Sequence, residues 1–157
     1  MAIIISQAES VEHIADATTL FREYEKWLGM SLCFQDFELE IASLPGKYAM
    51  PSGRLLLAYS ADQLAGCIAL RPLDEPGLCE MKRLFVRDGF RGQQIGLHLI
   101  DKVLSEGRQI GYERMRLDTF PPKMAKAVGL YESHGFYAIE PYYENPHEGV
   151  LFMECKL

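Results

Sequence analysis

Apolar and polar positions follow two periods along this chain. Ile3-Ile4-Ile5 is a short apolar run that predicts a first strand. Ser10 then stands at a capping position before Ile14, Ala17, Phe21, Tyr24 and Leu28, which recur at three- and four-residue steps on one helical face. Gly29 is placed to end that helix. A second helix is predicted from Asp36 to Leu44, before Pro45-Gly46, and Pro51-Ser52-Gly53 reads as a turn. Arg54 to Tyr59 and Leu64 to Leu70 read as antiparallel strands connected through Ser60-Ala61-Asp62-Gln63. After a break at Pro72 to Gly77, Leu78 to Val86 forms a fourth strand. Leu99, Ile100, Val103 and Leu104 mark one face of a helix from Gln94 to Ile110, stopped by Gly111. Met115, Leu117 and Thr119 alternate as a fifth strand ended by Pro121-Pro122. Lys123 to His134 is helical, with Gly135 at its end, and Tyr137 to Pro141 and Val150 to Lys156 are the last strands.

The order is strand, two helices, three strands, helix, strand, helix and two strands. Helices inserted between strands predict an α/β (α+β) protein with a mixed sheet covered on both sides. Connectivity alone leaves several such folds open. The 157 residues suit a single domain with a sizeable core, and no linker, repeat or low-complexity segment divides them.

Composition narrows the partners. At 48% hydrophobic and 24% charged, the chain has the balance of a soluble globular protein. A net charge of −6, without a basic face, argues against nucleic acid and weakly favours cationic small molecules or basic peptides. No segment approaches the length of a membrane span, and the N-terminus lacks the positive region and apolar length of a signal peptide. The scattered Cys33, Cys67, Cys79 and Cys155 form no Cys-x-x-Cys pair and read as free thiols in a reducing cytoplasm. The four histidines lack ligand spacing, so no metal is expected.

The most informative segment begins at Glu80-Met81-Lys82-Arg83-Leu84-Phe85-Val86. It runs through a glycine-bearing turn, Arg91-Gly92-Gln93-Gln94-Ile95-Gly96, into the third helix. The first-turn N–H groups of a helix lack internal partners and lie at the positive end of its dipole. Such a start, with Arg91 beside it and glycines that allow close approach, suits a phosphate group. No Gly-Lys-Ser/Thr follows, so the turn is not a P-loop, and its glycine spacing is not that of a dinucleotide site.

The turn resembles the acyl-CoA site of the GNAT superfamily of N-acetyltransferases, whose pattern is Gln or Arg, two residues, Gly, one residue, then Gly or Ala. Leu84-Phe85-Val86 matches the strand leading into that site, and Leu130-Tyr131-Glu132-Ser133-His134-Gly135-Phe136 matches the downstream Leu-Tyr-Glu-x-x-Gly-Phe motif. The detailed likeness covers Glu80 to Phe136, and the order of elements extends it to the whole chain. It implies the GNAT fold, a twisted, mostly antiparallel mixed sheet of about seven strands flanked by about four helices. It also implies acetyl-CoA as cosubstrate and direct transfer of an acetyl group to a primary amine. Gln94 departs from the pattern, standing where the family has its first glycine. It fits if its N–H serves the ligand and its side chain faces solvent, and is costly if the position needs a positive φ. Met124 stands where the family often has an asparagine that contacts pantetheine.

The resemblance assigns the pyrophrosphate to Arg91, Gly92, Gln93, Gln94, Ile95 and Gly96, with Lys123 and Lys126 near the nucleotide phosphates. It assigns the pantetheine arm to the backbone of Leu84, Phe85 and Val86. Glu80 is the candidate general base. Strand alternation predicts that it shares a face with Lys82, Leu84 and Val86. A free glutamate has a pKa of about 4.3, so burial would have to raise it for efficient proton abstraction near neutrality. Tyr131 is the candidate acid beside the departing sulfur. Its free pKa near 10 exceeds that of a thiol near 8.5, so a positioned hydrogen bond is the least it would supply.

The resemblance assigns the acceptor to the first two helices and the last hairpin, which hold Tyr24, Trp27, Phe34, Asp36, Glu38 and Glu40, then Tyr142, Tyr143, Glu144 and Asn145. Acids and aromatics together suit a cationic small-molecule or peptide amine. The same acids also read as a wet helix face, and a homodimer stays open. A non-catalytic acyl-CoA-binding or sensor domain, or a transferase of longer acyl chains, is the alternative.

Overall fold

The computed structural model describes residues 2–32 and 35–157, so Cys33 and Phe34 lie outside the described residues. The first strand, β1 (Ile3–Gln7), is followed by α1 (Val11–Leu28) and α2 (Phe37–Ala42). Three consecutive strands come next: β2 (Arg54–Ser60), β3 (Gln63–Pro72) and β4 (Leu78–Val86). Then come α3 (Ile95–Ile110), β5 (Arg114–Thr119), α4 (Pro121–Ser133), β6 (Tyr137–Ile139) and β7 (Leu151–Lys156). The strands form one sheet in the order β1-β2-β3-β4-β5-β7-β6. β4 and β5 run parallel, and the other neighbours run antiparallel.

The local signals work as their chemistry dictates. Ser10 caps α1 by accepting from the His13 N–H at 3.1 Å, and Gly29 closes it in the left-handed conformation at φ 76°. The β2–β3 turn places Ala61 and Asp62 at φ 49° and 67°, the twist that a two-residue hairpin requires. One boundary differs from expectation. Pro121 and Pro122 open α4 rather than merely ending β5, because the first helical turn needs no proline N–H. The helix then kinks at Met124, whose φ of −124° and ψ of 33° are not helical.

The helices cover both faces of the sheet. On one side α3 buries Leu99, Ile100, Val103 and Leu104 against Leu56, Ile68, Met81 and Met115, and Tyr131 of α4 joins them. On the other, α1 and α2 bury Leu20, Phe21 and Phe37 against Leu55, Leu57 and Phe85. Each such side chain contributes roughly 1.5–3 kcal/mol by leaving water. Cys67, Cys79 and Cys155 are buried free thiols.

Two irregularities position everything that follows. The β3–β4 register slips between Cys67↔Phe85 and Ala69↔Lys82, so Arg83 and Leu84 together oppose Ile68. Arg83 sits at φ 63°, in a β-bulge. This extra residue changes the parity of β4. Met81, Leu84 and Val86 pack toward α3, whereas Lys82 and Phe85 lie with Glu80 on the α1–α2 side. The expectation that Glu80, Lys82, Leu84 and Val86 share one face is therefore corrected, since simple alternation fails across a bulge. The second irregularity is a parting of strands. β4 and β5 pair only over Leu78↔Arg114, Cys79↔Met115 and Glu80↔Arg116, then diverge. Beyond Glu80 the edge of β4 facing β5 is left open. Gly66 of β3 allows the close approach behind that edge, because a Cβ there would lie 2.6 Å from the Phe85 carbonyl oxygen.

Candidate active site

A cleft of about 700 Å³ opens between the end of β4, the start of α3 and α4. Leu84, Phe85 and Val86 form its strand wall. Arg91, Gly92, Gln94, Ile95 and Gly96 form its turn, and Lys123, Lys126 and the kinked Met124 line the α4 side. Gln93 is the exception among the expected turn residues, because its side-chain oxygen accepts from the Ser60 Oγ at 3.1 Å.

Gln94 is exposed and caps α3 from the left-handed region at φ 60°. Its position does require positive φ, which costs a non-glycine residue about 1–2 kcal/mol. The strain is local. It leaves the first-turn residues Ile95 and Gly96 of α3 in the cleft lining, where N–H groups lack partners inside the helix.

Trp27 belongs to this cleft rather than to the acceptor side. Its indole lies between two cations, with the Arg91 guanidinium 5.1 Å and the Lys123 ammonium 5.8 Å from the ring centroid. Arg91 also pairs with Asp88 at 2.6 Å and donates its Nε–H to the Val86 carbonyl at 3.1 Å. Both candidate phosphate-binding cations thus rest on one aromatic side chain at the cleft wall.

Tyr131 follows the cleft residue Leu130 on α4 but does not itself line the cleft; it is buried in the core under α3 and stacks edge-on with Phe136 at 5.7 Å. Burial drives its pKa well above the ordinary tyrosine value, and the nearby Tyr24 and Asp118 add to the shift. At working pH this hydroxyl is a donor that holds its proton. Tyr24, edge-on to Phe85 at 6.1 Å, is pushed up to about 12, chiefly by burial.

Glu80 is 1% exposed, but its environment is not the one its expected role needs. Arg71 donates Nε–H to Oε1 at 2.8 Å and brings a second nitrogen to 2.8 Å. Tyr142 donates its hydroxyl to Oε2 at 2.6 Å, and the Lys82 ammonium lies 3.8 Å from Oε1. Burial alone would raise the pKa, but the Lys82 and Arg71 charges and the bonds from Tyr142 and Arg71 outweigh it. The pKa falls below its ordinary value. The rise that proton abstraction near neutrality would require is not found, and both oxygens of Glu80 are engaged.

Around it runs a connected polar floor. Arg83 clamps Glu40 of α2 with bonds of 3.0 and 2.7 Å and stacks on Phe37 at 5.3 Å. Gln35 accepts from Lys82 at 3.0 Å and from Arg83 at 2.9 Å, and donates to the Tyr143 hydroxyl at 3.3 Å. Tyr143 donates to Asp118 Oδ2 at 2.5 Å and accepts from Asn145 at 3.0 Å. Of the other acceptor-side acids, Glu38 pairs with Arg22 on the surface, while Asp36 and Glu144 are exposed. Lys82, Asp118 and Gln35 were not singled out from the sequence. Only the alternation of β5, which turns Asp118 away from the core face of Met115 and Leu117, hinted at one of them.

Among the described residues, no three His, Cys, Asp or Glu side chains are grouped to hold a metal ion. Also among these residues, no helix is long and apolar enough to cross a membrane.

Comparison with known proteins agrees with this arrangement. The Acetyltransferase (GNAT) family matches residues 14–136. An uncharacterised N-acetyltransferase of Schizosaccharomyces pombe is 38% identical over 99% of this chain and 95% of its own length. One of Dictyostelium discoideum is 31% identical over 99% of this chain and all of its own. In structure, a GNAT acetyltransferase from Staphylococcus aureus aligns with a TM-score of 0.79 at 21% identity, over 99% of both chains. The PaiA N-acetyltransferase from Thermoplasma acidophilum, in complex with coenzyme A, aligns with a TM-score of 0.74 at 20% identity over 100% of both. The chain belongs to the GNAT acetyltransferase family. It is an N-acetyltransferase, with acetyl-CoA as its cosubstrate.

Proposed function

We propose that this protein acetylates a primary amine by direct attack on acetyl-CoA seated in the cleft between β4, α3 and α4. The observation that carries the reading is the parting of β4 from β5 beside that cleft, which leaves a strand edge open next to a helix N-terminus. The pyrophosphate takes the Arg91–Gly96 turn, where N–H groups and Arg91 meet its charge. Pantetheine pairs with the open backbone of Leu84, Phe85 and Val86, and the thioester reaches the point where the strands diverge.

The amine approaches from the Lys82–Asp118 side. Its nitrogen forms a bond to the carbonyl carbon, an N–H of the open β4 edge stabilises the oxyanion, and the carbon–sulfur bond then breaks. Tyr131 donates a hydrogen bond to the departing sulfur. Its high pKa makes full proton transfer uphill, so its contribution is stabilisation of the thiolate. Glu80, engaged at both oxygens, is assigned the role of holding Tyr142 and Arg71 in place. The amine proton passes instead to Asp118. The bond from Tyr143 occupies Oδ2 of this carboxylate, and among the described residues Oδ1 accepts none.

The test is a screen of primary amines with acetyl-CoA, following free thiol and the mass of the acetylated product. Acetyl-CoA binding without thiol release from any amine or peptide would sink the transfer reading.

A further inference from the structure

The charges on the acceptor floor do not cancel evenly. Glu40 is neutralised by the clamp from Arg83, and Glu80 by Arg71, with Tyr142 on its other oxygen. Two charges remain without a direct hydrogen bond to an opposite charge. Lys82 has Gln35 at 3.0 Å and the already engaged Glu80 at 3.8 Å. Asp118 accepts one hydroxyl bond, from Tyr143, and among the described residues forms no ion pair.

Their placement follows from the register. Leu78↔Arg114, Cys79↔Met115 and Glu80↔Arg116 are paired, so continuing the parallel ladder sets Lys82 opposite Asp118, just past the point where the strands part. Both line a cavity of about 40 Å³ on the α1–α2 side, together with Gln35, Tyr24 and Asn145. That volume holds a few water-sized groups, enough for a small charged headgroup but not a bulky side chain. Leu28, Met30 and Phe120 complete it with apolar surface, which strengthens any charge–charge contact made there.

We propose that the acceptor is a zwitterionic amino acid, its ammonium on Asp118 and its carboxylate on Lys82. This deepens the acetyl-transfer reading and rests on it. It narrows the expected small-molecule or peptide amine, and moves its recognition away from Glu38 and Glu40, which are already paired with arginines. Lys82 is buried, and burial pulls its pKa down, so a bound carboxylate would restore the charge that the site penalises. An ammonium held by Asp118 loses one proton to the same carboxylate as the nitrogen turns to the thioester. No further reactant is needed, because the thioester supplies the acetyl group, and the sulfur leaves with the electron pair of its bond and takes up the second proton of the newly acylated nitrogen as free thiol.

The experiment compares common L-amino acids with their methyl esters and their decarboxylated amines at saturating acetyl-CoA. At least one free amino acid should exceed both derivatives in kcat/KM by about tenfold or more. Lys82→Met should bring the ratio of amino acid to ester close to one, and Asp118→Asn should raise KM and lower kcat for all three forms. The fold of each variant is checked by acetyl-CoA-dependent change in the emission of Trp27, the chain's single tryptophan. Esters or decarboxylated amines that equal the amino acids in the unmodified enzyme would overturn the proposal. So would a Lys82→Met variant that slows all forms equally. If none of the three is acetylated although acetyl-CoA binds and another amine reacts, this acceptor is wrong and the transfer reading stands. If no amine reacts at all, both fail.

Discussion

Arg91 donates its Nε–H to the carbonyl oxygen of Val86 at 3.1 Å, so the turn before α3 holds a polar group of β4 at the place proposed for the cofactor. The same guanidinium faces Trp27. Cofactor binding must compete with both contacts. Arg91→Glu should weaken acetyl-CoA binding by at least about 1.4 kcal/mol, tenfold, and a bulky residue at Gly96 should do likewise. Trp27 emission should change on titration with acetyl-CoA as the cations leave its ring. Unchanged affinity in both variants by calorimetry would remove the cofactor from this turn.

Gln94 holds φ 60° at an exposed position, with no side-chain capping bond. Glycine adopts that backbone without the Cβ penalty, while losing more freedom on folding. The balance predicts that Gln94→Gly stabilises the fold by up to about 1 kcal/mol without weakening acetyl-CoA binding. A lower denaturant midpoint would show that the Gln94 side chain contributes something beyond its backbone.

The depressed pKa of Glu80 sets the sign of two pH effects. Its stabilisation is fully present above the unfolded value near 4.5 and is lost as pH falls through the lower folded value. Glu80→Gln should therefore flatten the acid side of the stability profile. It should also cost roughly 2–3 kcal/mol at neutral pH, below the full buried-pair range because Arg71 keeps contact with water. Any acidic limb of the rate between pH 6 and 8 should survive in this variant, since Glu80 is already ionised there. Loss of that limb would restore Glu80 as the base.

Much of this was legible from local chemistry, and the reasons differ by element. Ser10, Gly29 and Gly111 act through neighbours a few residues away, so the helix ends could be read directly. The apolar stripe of α3 and the frame around Tyr131 are likewise local patterns. The bulge at Arg83 is not local, because it exists only through pairing with β3, and nothing in an arginine announces a positive φ. The same bulge upset the expected face of Leu84 and Val86. The lowered pKa of Glu80 depends on Arg71 and Tyr142, nine and sixty-two residues away. Lys82 and Asp118 come together only because β4 and β5 are parallel neighbours, which periodicity cannot show.

Tyr131→Phe keeps the ring against Phe136 and removes only the hydroxyl. Acetyl-CoA affinity and stability should stay nearly unchanged while the chemical rate falls on the order of 10²-fold. Single-turnover thiol release is the appropriate measurement, because slow product release could mask the defect. A wild-type rate would make Tyr131 a packing residue.

His134 joins the two helices that line the cleft. Its Nδ1 lies 2.6 Å from the Leu130 carbonyl and its Nε2 lies 2.6 Å from Asp101 of α3. Two acceptors favour a ring that carries both protons, and its pKa is raised, first by the Leu130 carbonyl and also by Asp101 against partial burial. This stabilisation is fully present below the unfolded value near 6.5 and is lost as pH rises through the higher folded value. Asp101→Asn should reduce the fall in melting temperature between pH 6 and 8. An identical fall in the variant would show that the α3–α4 contact does not depend on the proton.

The inserted residue in β4 lets one strand serve two chemistries without compromise. Before the bulge, the polar Glu80 and Lys82 face the α1–α2 side. After it, apolar side chains pack against α3 and α1 while the backbone edge toward β5 stays open. On the proposed reading, acceptor preference can therefore drift through Glu80 and Lys82 while the cofactor grip, built from main chain, is untouched. Straightening the bulge with Arg83 retained would undo that separation at a stroke, turning Leu84 into the polar floor and Phe85 out of the hydrophobic layer under α1.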